Sequence, residues 1–159
     1  MMKVLICSDT HRRHDHFYEV VEKEGPFDFL IHCGDTEGGE YAIREAIGCP
    51  AEIIQGNNEF FSELPKERIF ELGGKKIWLT HGHEQCTFLG TKYIKQDAKE
   101  KGVNVVMFGH SHCPLIEEDD VLCINPGSLS YPRQANHRPS YIILNIDKDN
   151  KWDLEIKYC

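Results

Sequence analysis

Carboxylates, amides and imidazoles recur in this sequence directly after short apolar runs. After "VLIC" stand Ser8, Asp9, Thr10 and His11; after "FLIHC", Gly34 and Asp35; after "EIIQ", Gly56, Asn57, Asn58 and Glu59. After "IWLT" stand His81, Gly82 and His83, and after "VVMF", Gly109, His110, Ser111 and His112. Oxygen and imidazole donors without thiolates suit divalent manganese, iron, zinc or nickel better than a hard all-oxygen calcium site. There are more donors than one ion uses. Two ions roughly 3.5–4 Å apart, sharing one carboxylate and a water or hydroxide, would employ them all and would be equipped for hydrolysis. Taken singly, each block has an ordinary explanation: Asp35 could cap a helix, and Asn57 and Asn58 could form a turn. Their ordered combination is what singles them out.

Such donors converge only if rigid elements aim them. In α/β sheets, ligands bind in the crevice beyond the carboxyl ends of the strands, and glycines there permit tight turns. The runs "KVLIC" (3–7), "FDFLIHC" (27–33), "AEIIQ" (51–55), "KKIWLT" (75–80), "NVVMF" (104–108), "VLCIN" (121–125) and "YIILNI" (141–146) are short, apolar and bounded by turn or charged residues. They predict buried strands. "YIILNI" and "WDLEIKY" flank "DKDNK" and predict a hairpin. The stretches "HDHFYEVVEKEG", "GEYAIREAIG" and "TFLGTKYIKQDAKEKG" predict helices that stop at Gly25, Gly48 and Gly102, the last two suited to left-handed caps. His14 and His16, at the start of the first helix, are expected to be solvated. Alternation of strand and helix over the first two thirds indicates an α/β fold, and the closer strands after it a more antiparallel second half. Two facing sheets with helices outside accommodate both, in a single domain over 1–159.

Composition sets the remaining bounds. With 40% apolar and 28% charged residues the chain is an ordinary globular mixture. No apolar run approaches the ~20 residues of a membrane span, and the opening "MMKVLICSDTH" is too short for a secretion signal, so a cytoplasmic protein is expected. Seven cysteines without a C-x-x-C pair suggest reduced thiols. A formal charge of −8 disfavours membranes and extended nucleic acid as partners. A phosphate substrate would need bound cations to attract it.

The ordered blocks D-x-H, G-D, G-N-x-D/E, H-G-H and G-H-x-H resemble the calcineurin-like metallophosphoesterase superfamily. The "SDTH" opening and "NPGSLSYPR" (125–133) are similar to its small bacterial and archaeal phosphodiesterases of the YfcE type. The resemblance implies a four-layer αββα sandwich, two facing mixed sheets flanked by helices, with two divalent ions. Manganese is the foremost of these, with iron, zinc, nickel or magnesium as alternatives. It implies that Asp9, His11, Asp35 and His112 hold one ion, and that Asp35 bridges to another held by Asn57, His81 and His110. Ser111 would then space His110 and His112 so that one loop serves both ions. His83 matches a family position suited to supporting a ligand or contacting phosphate. The implied reaction is hydrolysis of a small phosphodiester by in-line attack of a hydroxide shared between the ions. Asn58 stands where phosphatases of the superfamily often carry histidine and YfcE-like enzymes cysteine. An amide cannot act as a strong general acid, so diesters with good leaving groups are the expected substrates. Arg12 takes a position commonly held by glycine. The same fold serves Vps29-like interaction scaffolds without catalysis, which is the alternative function; a homo-oligomer is compatible with either.

Overall fold

A computed structural model describing residues 1–159 folds the first third into β1 (Met2–Cys7), α1 (Asp15–Glu24), β2 (Phe29–His32), α2 (Glu40–Ile47) and β3 (Ala51–Ile53). There follow β4 (Glu67–Leu72), β5 (Lys75–Thr80), α3 (Lys92–Glu100), β6 (Val105–Met107), β7 (Leu115–Glu117) and β8 (Leu122–Asn125). The hairpin β9 (Ser140–Ile146) and β10 (Trp152–Tyr158) closes the sequence. One five-stranded sheet has the order β10-β9-β1-β2-β3 and the other β4-β5-β6-β8-β7. In each the strands that precede the polar blocks run parallel, β1, β2 and β3 in one sheet and β5 and β6 in the other. Their carboxyl ends therefore open on one edge of each sheet.

Strand alternation produces the layers, because successive side chains point to opposite faces. Val4, Ile6, Ile31 and Ile142 turn inward and meet Ile77, Leu79, Met107 and Ile124 of the other sheet in one buried cluster. Leu5, Cys7, Leu30 and Ile143 turn outward onto Phe17 and Val20 of α1 and Ile43 and Ile47 of α2. Trp78, Val106 and Cys123 pack outward onto Ile94 and Ala98 of α3. The result is the four-layer αββα sandwich, with helices outside two facing mixed sheets.

Several local expectations are corrected. The closing third is more antiparallel, as expected, with β7 reversed on β8 and β9 reversed on both β1 and β10, but it keeps one parallel pair, β6 with β8. The 87–102 stretch is no single helix: a 3-10 turn, Thr87–Leu89, breaks at Gly90, whose φ of 126° no helix accommodates, and α3 starts afterwards. Gly48 and Gly102 adopt positive φ as expected, whereas α1 ends on Gly25 in extended geometry. His14 is half-buried rather than solvated, its ring lying where a Cβ on Gly39 would be. The seven cysteines are free thiols.

Candidate metal centre

The polar blocks leave their strands through strained turns. Asp9, His11, Asp35, His110 and His112 all have positive φ, between 45° and 67°, a region that costs a non-glycine residue roughly 1–2 kcal/mol. Histidine and aspartate tolerate it better than most residues, and it concentrates where function holds a side chain in place. Glycines make the remaining space. A Cβ on Gly56 would lie 2.1 Å from Asp35 Oδ1, and one on Gly109 2.6 Å from Asp9 Oδ2. On Gly34 it would come within 2.6 Å of His81 Nδ1.

Donor atoms from both sheets meet across the sandwich. Asp9 Oδ1 lies 3.2 Å from His112 Nε2 and 3.7 Å from both His11 Nε2 and His81 Nε2. Asp35 Oδ2 lies 3.3 Å from His81 Nε2 and 3.8 Å from His11 Nε2. Asn57 Oδ1 stands 3.1 Å from His81 Nε2, and the Nε2 atoms of His11 and His112 are 3.3 Å apart. Two overlapping groups result, Asp9 with His11 and His112, and Asp9 with Asp35 and His81, each with ligand atoms within 4.8 Å of one another. The ring of His110 sits 5.2 Å from that of His81, centroid to centroid.

Outward hydrogen bonds fix which ring nitrogen faces in. His11 Nδ1 donates to Glu37 Oε1 (2.8 Å), His112 Nδ1 to the carbonyl of Tyr131 (2.6 Å) and His81 Nδ1 to that of Cys33 (2.8 Å). With the proton on Nδ1, each Nε2 presents a lone pair to the centre, the tautomer a metal ligand requires. Asp9 is held just as firmly. Its Oδ2 accepts from Ser8 Oγ (2.7 Å) and the His110 backbone N–H (3.1 Å), while Ser128 and Ser130 donate to its carbonyl, both at 2.7 Å. Asp35 accepts from the Asn58 side chain (2.8 Å) and backbone (3.0 Å).

One atom is left over. Asp9 Oδ1 is buried without a hydrogen-bond partner, although it is an anionic oxygen that burial would otherwise penalise heavily. It faces three imidazole lone pairs, so the pocket lacks positive charge, and a divalent cation fits both the vacancy in charge and the donor set. Protonation behaviour agrees. Burial opposes charge on His11, yet the nearby Asp9 carboxylate and the hydrogen bond to Glu37 outweigh it and raise the ring to about 9, a demand for positive charge that a bound cation would meet instead. Burial likewise opposes charge on His81, and the Asp9 and Asp35 carboxylates outweigh it. For Asp35 the burial penalty is overcome by the His81 contact, which holds the carboxyl at about 2. His110 behaves oppositely, burial and the neighbouring His81 lowering it to about 4.

The structure thus brings together Asp9, His11, Asp35, Asn57, His81 and His112, with His110 beside them. Asp9 reaches both groups, sharing the central position expected of Asp35 alone. Asn58 is spent on Asp35, and His83 lies exposed at the rim, 5.6 Å from His81 between ring centroids. Two residues support the ligands in ways their places in the sequence do not announce. Glu37 orients His11, with no signal beyond an acidic residue near a glycine pair. Glu59 is buried and accepts from the backbone N–H groups of Gly56 (2.7 Å), Thr36 (2.7 Å) and Glu37 (2.8 Å), tying the Asp35 and Asn57 loops together. Its signal was the acid that closes G-N-x-D/E.

Residues 2–149 match the model of the calcineurin-like phosphoesterase superfamily domain. The chain belongs to that superfamily. Within it, the chain is 35% identical over 150 residues to the Bacillus subtilis protein named probable metallophosphoesterase YsnB, covering 93% of this chain and 86% of that one. The fold of a Streptococcus pneumoniae protein described as a predicted phosphoesterase superposes with a TM-score of 0.80 at 27% identity, over 99% of this chain and 89% of that one. A structure titled as that of a novel archaeal phosphodiesterase gives 0.70 at 26%, covering 98% of this chain and 100% of the other. Vps29 of Entamoeba histolytica, solved with zinc, shares the fold with a TM-score of 0.78 at 20% identity, each chain covered to 99%. This superfamily member contains no helix long and apolar enough to cross a membrane.

Proposed function

We propose that the protein is a dinuclear metal-dependent phosphodiesterase acting on small substrates, with manganese as the favoured ion. The observation that carries this is the orphaned Asp9 Oδ1, set among inward-facing imidazole nitrogens delivered by both sheets. Asp9, His11, Asp35 and His112 would hold one ion, and Asp35, Asn57, His81 and His110 the other. Divalent ions held there would supply positive charge to the substrate phosphate and lower the pKa of a water. The side chains do the positioning. Glu37, Tyr131 and Cys33 keep the three Nε2 atoms aimed inward, and Asn58 fixes the Asp35 carboxylate through both its amides.

Because Asn58 donates to Asp35 and cannot release a proton to a leaving group, the site is best suited to substrates whose leaving group departs unaided. His83, exposed at the rim and lowered by burial and by His81, remains neutral and is placed to donate a hydrogen bond to phosphate. An aryl diester should therefore outperform an alkyl monoester. The scaffold alternative rests on a likeness of fold at 20% identity, whereas the donor set gathered here favours hydrolysis. Purified protein with Mn²⁺ should hydrolyse bis(p-nitrophenyl) phosphate, and Asp35→Ala and His110→Ala should abolish turnover while keeping the wild-type circular dichroism spectrum. Undiminished turnover by Asp35→Ala would reject the assignment, and a wild-type protein that hydrolyses no diester, with or without metal taken up, would favour the scaffold.

A further inference from the structure

Next to the candidate metal centre the surface exposes rings that no packing requires. Phe60 and Phe61 directly follow Asn57-Asn58-Glu59 and are 82% and 101% exposed; Tyr41, at the start of α2, is 77% exposed. The three line one cavity of about 500 Å³, together with Arg12, Glu37 and Asn58. A second cavity of about 680 Å³ is lined by His11, His112, Tyr131 and Arg133, and again by Glu37 and Asn58. Both volumes fall within the range of small-molecule sites, roughly 300–1,000 Å³. Their common wall, Glu37 and Asn58, touches the cluster on both sides: Glu37 bonds to His11, and Asn58 to Asp35.

A phosphodiester has two arms. With phosphorus over the ligand cluster, one arm enters each cavity. The phenylalanines offer no hydrogen bond, only flat apolar faces, on a loop that Glu59 holds in place through Gly56 N–H. A planar ring is what such faces accept, and stacking of bases on aromatic side chains is tolerant of base identity. The charges around them narrow the choice. Arg12 is the one cation lining this cavity, against Glu37, Glu40, Glu59 and Glu63. Those carboxylates disfavour an arm bearing further phosphates, and the exposed Glu63, uncommitted to the ligand loops, can accept hydrogen bonds from the exocyclic amines of a base.

We infer, building on the phosphodiesterase reading, that the substrate is a nucleotidyl diester whose base rests on Phe60, Phe61 and Tyr41. The other arm then lies along Tyr131 and Arg133. Base recognition is separable from phosphate recognition by comparing adenosine 5′-monophosphate with ribose 5-phosphate, which lacks only the base. In calorimetric titrations of the Mn²⁺-loaded protein, the nucleotide should bind about 5- to 150-fold more tightly, the range that base–aromatic stacking provides. In the double variant Phe60→Ser/Phe61→Ser, whose wild-type rings support no core, that ratio should fall towards one. Equal affinities in the wild type, or an unchanged ratio in the variant, overturn the inference. So does a variant that only dissociates a dimer in sedimentation, because the rings would then be a contact between copies. Turnover of methyl p-nitrophenyl phosphate by the wild type tests the hydrolytic reading by itself. Turnover with equal affinities rejects the base platform alone, and no turnover with any divalent metal rejects a diester substrate altogether.

Discussion

Gly56→Ala puts the construction of the centre under direct strain. The added Cβ would sit 2.1 Å from Asp35 Oδ1, 2.6 Å from Asp35 Cγ and 2.7 Å from the Asp35 backbone nitrogen, where real Cβ atoms essentially never come within 3.0 Å. Relief to 3.0 Å requires the carboxylate to retreat by at least 0.9 Å (3.0 minus 2.1). Rotation of Asp35 cannot provide all of it, because a backbone atom is also too close. The two loops must part, loosening the Glu59 bond to Gly56 N–H. A displacement near 1 Å at a reacting centre costs on the order of 100-fold in rate, about 2.7 kcal/mol of transition-state stabilisation. Overpacking adds roughly 1–3 kcal/mol of lost stability. The assay is kcat/KM for bis(p-nitrophenyl) phosphate across a Mn²⁺ titration, with metal affinity measured by calorimetry. Gly102→Ala is the control. Its φ of 68° strains an alanine, but its Cβ meets open space, so stability should fall while metal affinity holds. A Gly56→Ala protein that binds Mn²⁺ and turns over like the wild type would refute the central place given to Asp35.

Three further outcomes are expected. His32 is fully buried; Gly34 N–H donates to its Nδ1 (3.2 Å), so Nε2–H must donate to Thr10 Oγ1 (3.1 Å), and a second proton would face a donor. Burial accordingly lowers it from 6.5 to about 3; since the unfolded chain binds this proton first, stability should be complete above pH 6.5 and fall by about 2 kcal/mol between pH 6.5 and 5. Denaturant unfolding would show that component missing from a His32→Gln protein, and an unchanged pH slope would contradict it. Glu59→Ala strands three backbone N–H groups and should cost about 2–4 kcal/mol, together with Mn²⁺ affinity; a protein as stable as wild type by urea unfolding would count against the clamp. Mn²⁺ at 100 times its Kd should stabilise by about 2.7 kcal/mol, raising Tm by roughly 5–10 °C in a chain of this size, with chelator reversing it. A Tm indifferent to both would argue against a resident metal.

The parallel strands and the site were legible for the same reason. Runs such as "VLIC" and "VVMF" are buried on both faces and therefore continuously apolar, and their polar successors stand out against them. Strand β4 was not legible, because "ERIFEL" is an edge strand whose residues are exposed or half-buried, and its charges conceal the alternation. β7 is three half-buried residues, too short to show a period. The parallel pairing of β6 with β8 was hidden by the few residues between them, which hold an antiparallel strand rather than a crossover helix. Gly90 was passed over inside an amphipathic stretch, although its conformation ends the pattern. At the centre, the ligand types and their order were readable. The partners that orient them were not, because Glu37, Glu59 and the Tyr131 carbonyl act through tertiary placement, and a backbone carbonyl leaves no mark on sequence.

Strand β1 lies between β2 and β9, and Asp9, two residues past its end, is gripped through its carbonyl by Ser128 and Ser130. The earliest of the candidate ligands is consequently held by residues 119 and 121 positions further along the chain. A chain still emerging from the ribosome, with β9 inside the exit tunnel, has its Asp9 untethered and its founding strand open along one side. The grip on Asp9 is therefore completed only once the stretch holding Ser128 and Ser130 has folded back onto the end of β1, which makes the centre a late product of folding although its first residue is translated early.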